Sequence, residues 1–157
     1  MSRVKTPHEY ERTQQLLEQG RVFGERQRAS LQAAGLSPEH VELAMAPLLS
    51  MQGQMQGELD WYDNARKGTI RPLPTLARIG LSLIALRLAK GLTQRQLAER
   101  LGVNEAQVSK DEKNEYHGIG VDRAQRIIDA MGGSITVAVS TDPPRHPELE
   151  LAKAQAR

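Results

Sequence analysis

The segment "LTQRQLAERLGVNEAQVS" constrains the local fold of this chain more than any other. Thr93, with a glutamine three residues later, has the spacing of a capping box and predicts the start of a helix. Gly102 can adopt the positive φ of a tight turn, and Asn104 can cap a second helix. We therefore predict two short helices, 93–101 and 104–113, joined by a tight turn.

The residue types inside this segment also suit two helices in contact. Leu97 and Ala98 are predicted to face inward, and the small Ala98 would let the helices approach closely. Val103 and Val108 are predicted to fill the space below the turn. Together these positions favour a helix pair of defined geometry over an ordinary helical corner.

Basic side chains are concentrated just before and inside this helix pair. Residues 66–100 hold eight Lys and Arg and one acidic side chain, whereas residues 1–65 and 101–157 have net charges of −3 and −2. The eight are Arg66, Lys67, Arg71, Arg78, Arg87, Lys90, Arg95 and Arg100. Such a cluster suits contacts with phosphate groups, although a solvated helix face would have the same composition.

The second predicted helix complicates this interpretation, because it carries more acid than base. From Asn104 to Glu115 the chain has four carboxylates and two lysines. A segment that approaches a polyanion is not expected to have an acidic excess, so the position of each carboxylate decides whether the interpretation holds.

Composition argues against an enzyme, a metal site and a membrane segment. The absence of cysteine excludes disulfides and thiolate metal sites. The histidines lack metal-ligand spacing, and no nucleophile elbow or phosphate loop is present. No signal peptide is visible, and the longest apolar run, "IGLSLIALRLA", is shorter than the roughly 20 residues of a membrane helix. We expect a cytoplasmic protein that is not an enzyme and uses neither a cofactor nor a metal.

Residues 1–68 predict a helical hairpin, an N-terminal extension that could form a dimer or bind another partner. A polar helix is expected over roughly 7–34, although Gly20 and Gly24 interrupt its pattern. In "GLSPEH" a serine N-cap precedes a proline, so the second helix should begin at Pro38.

This second helix carries an apolar seam with alternating steps of four and three residues, and Gln52 fills the one missing place. The seam residues are Val41, Met45, Leu48, Met55, Leu59 and Tyr62. They can pack on the neighbouring helix of the hairpin, or they can form a surface for a dimer or partner.

The segments around the helix pair are assigned from turn and periodicity signals. "GTIRPLP" predicts a linker at 69–74, and a helix is expected over about 75–90. After the pair, a further helix should span about 121–131 with Ile127, Ile128 and Met131 turned inward.

The C-terminal part predicts a strand and a tail. "SITVAVS" alternates strictly, which indicates a β-strand within 133–141. Because the backbone groups of a lone strand need a neighbouring strand, we expect this strand to pair with a second copy of the chain or with the sheet of another protein. Residues 142–157 contain three prolines and many charges, and they predict a mobile tail.

Residues 79–132, with the pattern "GLTQ..LAERLGV....VS..E", resemble the Xre/Cro-type DNA-binding domain of phage repressors and bacterial regulators. The resemblance implies a compact lambda-repressor-like helix-turn-helix bundle over 75–132. Together with the hairpin and the strand predicted above, it leads us to expect an all-α protein with one short C-terminal strand. It also implies a sequence-specific repressor whose third bundle helix, 104–113, enters the major groove of double-stranded DNA.

The resemblance assigns roles to individual residues. The residues it places against the bases are Glu105, Ala106, Gln107 and Lys110. It places Gln94 against the DNA backbone, and we expect further backbone contacts from Thr93, Arg95, Ser109, Lys113, Tyr116 and His117. Arg87 and Glu112 match a family pair that ties the first bundle helix to the end of the recognition helix, which would turn Glu112 away from DNA.

Several of these roles have a plain structural alternative. Gln107 is spaced to close a capping box with Asn104, and Glu105 suits the positive end of a helix. His117 would serve equally as an ordinary surface residue. Asp111 departs from the family, which usually has an aromatic or aliphatic residue there, so Asp111 is either exposed or paired with a basic residue elsewhere.

The expected partners are a double-stranded operator with an inverted repeat and a second copy of the chain. An alternative is suggested by similarity to HigA-type antitoxins, in which a helical extension accompanies an Xre domain. The segments "HEYERTQQLLEQ", "LDWYDNARKG" and "GGSITVAVS" carry that similarity. In this alternative the protein neutralises a toxin protein and regulates its own operon.

Overall fold

The computed structural model describes residues 3–70 and 76–137, and the chain divides into two compact units, Met1–Thr69 and Ile70–Arg157. The described residues contain six α-helices and one 3-10 turn, Leu76–Arg78. The helices are α1 (Pro7–Ala33), α2 (Pro38–Arg66), α3 (Ile79–Ala89), α4 (Gln94–Leu101), α5 (Glu105–Lys113) and α6 (Val121–Ala130). None of the helices in these two ranges is long and apolar enough to cross a membrane.

The first unit is an antiparallel hairpin whose helices begin at strong local signals. Thr6 and Glu9 form a capping box at the start of α1, with the Glu9 amide donating to the Thr6 hydroxyl over 3.2 Å. The Ser37 side chain caps α2, which begins at Pro38 as the sequence predicts.

The predicted seam of α2 forms the core of this hairpin. Val41, Met45, Met55, Leu59 and Tyr62 are buried and Leu48 is half-buried. α1 continues through both glycines, because helix packing outweighs their low propensity. A Cβ at Gly24 would lie 3.1 Å from Leu48 Cδ2, so this glycine allows close approach of the two helices.

The second unit packs four short helices around one apolar core. Its buried side chains come from all four: Leu83, Ile84 and Leu88; Leu97 and Ala98; Val108; and Ala124, Ile127 and Ile128, followed by Met131. The first helix of this unit starts at Ile79, after the 3-10 turn, and so begins later than predicted. Val103 was expected below the turn but is 43% exposed, because the turn at Gly102 directs it toward the surface.

The predicted C-terminal β-strand is wrong. Residues 133–137 have no regular secondary structure, Ile135 and Val137 are exposed, and no strand occurs in residues 3–70 or 76–137. Alternation alone does not make a strand: without a neighbouring edge, its backbone groups are satisfied by water at least as well as by a ladder. The rest of that segment, most of the linker and the tail, 142–157, lie outside the described residues.

Candidate nucleic-acid interface

The α4–α5 pair has the geometry that its sequence predicts. Gln96 N donates to Thr93 Oγ1 over 3.1 Å, and Thr93 N donates to the Gln96 side chain over 2.9 Å, which completes the capping box. Gly102 has a φ of 68°, and the Asn104 side chain accepts a hydrogen bond of 2.8 Å at the start of α5. These local contacts confirm two short helices joined by a tight turn.

One side of α5 is exposed and polar. Glu105, Ala106, Ser109, Lys110 and Lys113 are exposed, and their spacing of three and four residues places them along one stripe of the helix. We call these five residues the outer stripe. The opposite side of α5 is buried at Val108 and Glu112.

Glu112 lies inside the unit and contacts two other helices. Arg87 donates to it through Nε over 2.5 Å and through Nη2 over 2.7 Å, and the two side chains are only 3% and 0% exposed. Gln94 Nε2 donates to the same carboxylate over 2.8 Å. Glu112 therefore joins α3, α4 and α5, and its charge is directed away from the outer stripe.

This arrangement gives Gln94 an internal contact as well as a surface position. Its side chain is half-buried and its amide group donates to Glu112. The contact joins the start of α4 to the second half of α5, and Thr93 and Arg95 on either side of Gln94 are exposed.

Asp111 is paired with a basic residue of α6. Its Oδ2 contacts Arg123 Nη2, and its Oδ1 accepts a hydrogen bond of 2.9 Å from Gln107 Nε2. Gln107 is half-buried, so its amide group contacts Asp111 and does not close a capping box with Asn104. No short-range spacing relates Asp111 to Arg123, which is why this contact was missed from the sequence.

Tyr116 does not lie where it can contact the DNA backbone. The residue is only 5% exposed, and its buried hydroxyl has no hydrogen-bond partner among the described residues. Burial raises the pKa of this hydroxyl above its ordinary value. The neighbouring His117, in contrast, is exposed. The assignment of Tyr116 to a phosphate contact is therefore corrected to a core position.

The turn after α5 explains why Tyr116 is buried. Tyr116 N donates to Asp111 O over 2.8 Å and Glu115 N donates to Glu112 O over 2.9 Å, which is the Schellman pattern of helix termination. Both Glu115 and Tyr116 have a φ of 51°. A Cβ at Gly80 would lie 1.9 Å from Glu115 O, so only a glycine allows this turn to rest on the start of α3.

Fewer of the clustered cations are available for phosphate than the sequence suggests. Arg87 is in the buried pair, Lys90 Nζ donates to Gly132 O over 2.9 Å, and Arg100 Nη1 donates to Ala130 O over 3.1 Å. The last two bind the carbonyl end of α6, where the helix dipole favours positive charge. Arg95 pairs with Glu99 at the surface, where such a pair can open at low cost.

Other cations of the cluster lie elsewhere. Arg66 and Lys67 belong to the first unit, and Arg71 lies outside the described residues. Among the residues described, no group of three or more His, Asp or Glu side chains could hold a metal ion.

Residues 83–137 match a protein-family model described as helix-turn-helix, which is about a third of the chain. This match supports a DNA-binding transcriptional regulator with an Xre and lambda-repressor-like domain. No curated protein and no solved structure matches the chain.

Proposed function

We propose that this protein is a sequence-specific repressor that acts by binding and not by catalysis, and that it inserts α5 into the major groove of double-stranded DNA as a dimer. The observation that carries the proposal is the separation of charge on α5. The carboxylates of Asp111 and Glu112 are paired with Arg123 and Arg87 on the inner side, while the outer stripe carries Lys110 and Lys113 against the single carboxylate of Glu105. The acidic excess of this segment therefore does not oppose its approach to a polyanion.

Three residues of the outer stripe have side chains suited to base edges. Lys110 can donate to guanine O6 and N7, and Ala106 can contact a thymine methyl group. Glu105 can accept a hydrogen bond from the cytosine amino group. All three are exposed, and the major groove of B-DNA is wide enough to admit an α-helix that carries them.

Phosphate contacts would surround the three base-facing residues. Thr93 and Arg95 are exposed at the start of α4, and Ser109, Lys113 and His117 are exposed along and beyond α5. Lys and Arg at such places fix the orientation of the protein on the duplex without reading sequence.

The experiment is a selection of bound fragments from random double-stranded DNA, followed by titration of the best sequence and its single-base variants. Lys110→Ala should lose discrimination at one base pair, by about 1–3 kcal/mol. Lys113→Ala is the matched control on the same helix, and it should weaken all sequences alike and reduce the salt slope by about one.

Two results would contradict the proposal. The first is a uniform loss for Lys110→Ala on every sequence, which would make Lys110 a phosphate contact only. The second is an affinity that does not change with salt, because a protein that displaces counterions from phosphates must bind more weakly as salt rises.

A second candidate function is an antitoxin that neutralises a toxin protein and regulates its own operon, which requires a surface for a protein partner. Phe23 is 58% exposed and Leu43 is 73% exposed, and Leu16, Leu49 and Met51 are also exposed. Apolar side chains of this size on one small unit suit a protein partner, either a second copy or a toxin. Co-expression with the reading frame next to the gene distinguishes the two: growth rescue of a toxic neighbour supports the antitoxin, and a homodimer without such a neighbour supports the repressor.

A further inference from the structure

A cavity of about 150 Å³ lies in the second unit, behind the recognition helix, and it is partly open to solvent at the exposed Val103, Arg123 and Arg126. Its apolar wall is formed by Leu101 at the end of α4, Val103 in the turn, Val108 on α5 and Ile127 on α6. Cavities of about this volume accept a molecule the size of benzene. The space is therefore large enough for a small organic molecule as well as for water.

Tyr116 lines this cavity and supplies an unused hydrogen-bonding group. The residue is 95% buried, and its hydroxyl has no hydrogen-bond partner among residues 3–70 and 76–137. Buried hydroxyls are almost always paired, because an unpaired one loses its hydration without compensation. A ligand with a hydrogen-bond acceptor would satisfy it.

The charges around the cavity favour an anionic ligand. Asp111 is already bound by Arg123 and Gln107, so its charge is compensated within the protein. Arg126 also lines the cavity, and no carboxylate of the described residues pairs with it. With Asp111, Arg123 and Arg126 the lining has a net charge of +1, carried by the exposed Arg126, and Tyr116 adds a hydroxyl donor.

We propose that this cavity binds a small monocarboxylate with a compact apolar body of about the size of a benzene ring. The apolar body fills the space between Leu101, Val108 and Ile127, while the carboxylate accepts a hydrogen bond from Tyr116 and pairs with Arg126. Because α5 and α6 both form the wall, a ligand in the cavity shifts the position of the recognition helix and thereby changes the affinity for DNA, so the ligand acts as an effector. This effector role rests on the proposed DNA-binding function, whereas the binding site itself does not.

The test is a titration of the full chain with benzoate in the absence of DNA, with binding measured by NMR and calorimetry. Benzoate should bind saturably at millimolar concentration or below. Tyr116→Phe should weaken binding about tenfold, as expected for a lost hydrogen bond to a charged group, and Arg126→Gln about fivefold. Arg66→Gln removes an exposed arginine of the other unit and should leave the affinity unchanged.

Tyr116→Phe also provides its own folding control. Its hydroxyl has no protein partner to lose, so the melting temperature of the free variant should be equal to or higher than that of the parent protein. A lower melting temperature of Tyr116→Phe, together with no rise in the melting temperature of the parent protein when benzoate is added, would indicate that the hydroxyl binds only an ordered water. This result would overturn the proposal.

Three further results would overturn it: no saturable binding of benzoate, equal affinity in Tyr116→Phe and the parent, or equal affinity for toluene, which has the same body without the carboxylate. Operator affinity is then measured with and without saturating benzoate, and a change of at least threefold is expected. Benzoate binding with unchanged operator affinity would overturn the effector role, whereas loss of operator binding in all conditions would refute the proposed function alone.

Discussion

Each of the two units of this protein is stabilised by a different kind of internal contact. In the hairpin, the buried residues of the helices, which are 27 and 29 residues long, are apolar, tyrosine and glycine residues, and the buried charge of this unit, Lys5, precedes α1. In the second unit, helices of 8 to 11 residues surround a core that includes the buried pair Arg87 and Glu112. Short helices have little stability of their own, so specific polar contacts position them.

This difference has a consequence for function. A seam of apolar residues tolerates small shifts of one helix along another, because many weak contacts contribute alike. A buried carboxylate that contacts two other helices accepts only one arrangement, since any shift leaves a charge without its partner. The second unit is therefore the one that can hold a recognition helix at a defined position.

The largest expected effect comes from breaking the buried pair. Glu112→Gln keeps the shape of the side chain but leaves the Arg87 charge buried and uncompensated, so the second unit should lose about 3–5 kcal/mol in its free energy of unfolding. Urea unfolding followed by circular dichroism measures this loss. Fluorescence of Trp61, the only tryptophan, reports the hairpin, and its transition should not move.

Two control variants sharpen this comparison. Glu99→Gln removes a surface partner of Arg95 and should change stability by less than about 0.5 kcal/mol. The double variant Arg87→Met with Glu112→Leu replaces both charges by apolar groups and should recover most of the loss. If Glu112→Gln shifted the Trp61 transition equally, the distinction between the two units would be wrong.

Glycines in the two units provide a second, smaller contrast. A Cβ at Gly80 would collide with the backbone oxygen of Glu115, so Gly80→Ala should cost about 1–3 kcal/mol and weaken DNA binding by moving the end of α5. Gly53 lies inside α2 with nothing within 4 Å of an added Cβ, so Gly53→Ala should stabilise the hairpin by about 0.5–1 kcal/mol. Thermal unfolding measures both, and a stabilising Gly80→Ala would show that the turn has room to move.

Local signals in the sequence predicted helix boundaries in both units. The caps at Ser37, Thr93 and Asn104 and the turn at Gly102 each depend on a few consecutive residues, and the structure contains all four. The α2 seam was equally predictable, because a regular spacing of apolar residues is itself the signal of a buried helix side.

Contacts between distant helices were not predictable in the same way. Asp111 finds its partner on α6 and Gly80 receives the turn after α5, and neither relation leaves a spacing pattern in the sequence. Tyr116 was misplaced because a tyrosine in a polar loop suggests the surface, whereas two consecutive residues at positive φ turn it into the core. The prediction of a strand was wrong because alternating apolar and polar residues describe one strand and give no information about the edge that must pair with it.

A small effect is expected at the turn that ends α5, where Glu115 has a positive φ that glycine adopts without penalty. Glu115→Gly should be more stable than Glu115→Ala by about 0.5–1 kcal/mol, since relief of roughly 1–2 kcal/mol at positive φ is partly offset by about 0.4–1 kcal/mol of added freedom in the unfolded chain. Both variants lose the same side-chain contacts, so their difference isolates the backbone, and urea unfolding by circular dichroism measures it. Equal stabilities would mean that the turn relaxes when Glu115 is replaced. The second unit would then be less rigid at the end of its recognition helix than the contacts of Glu112 and Gly80 imply.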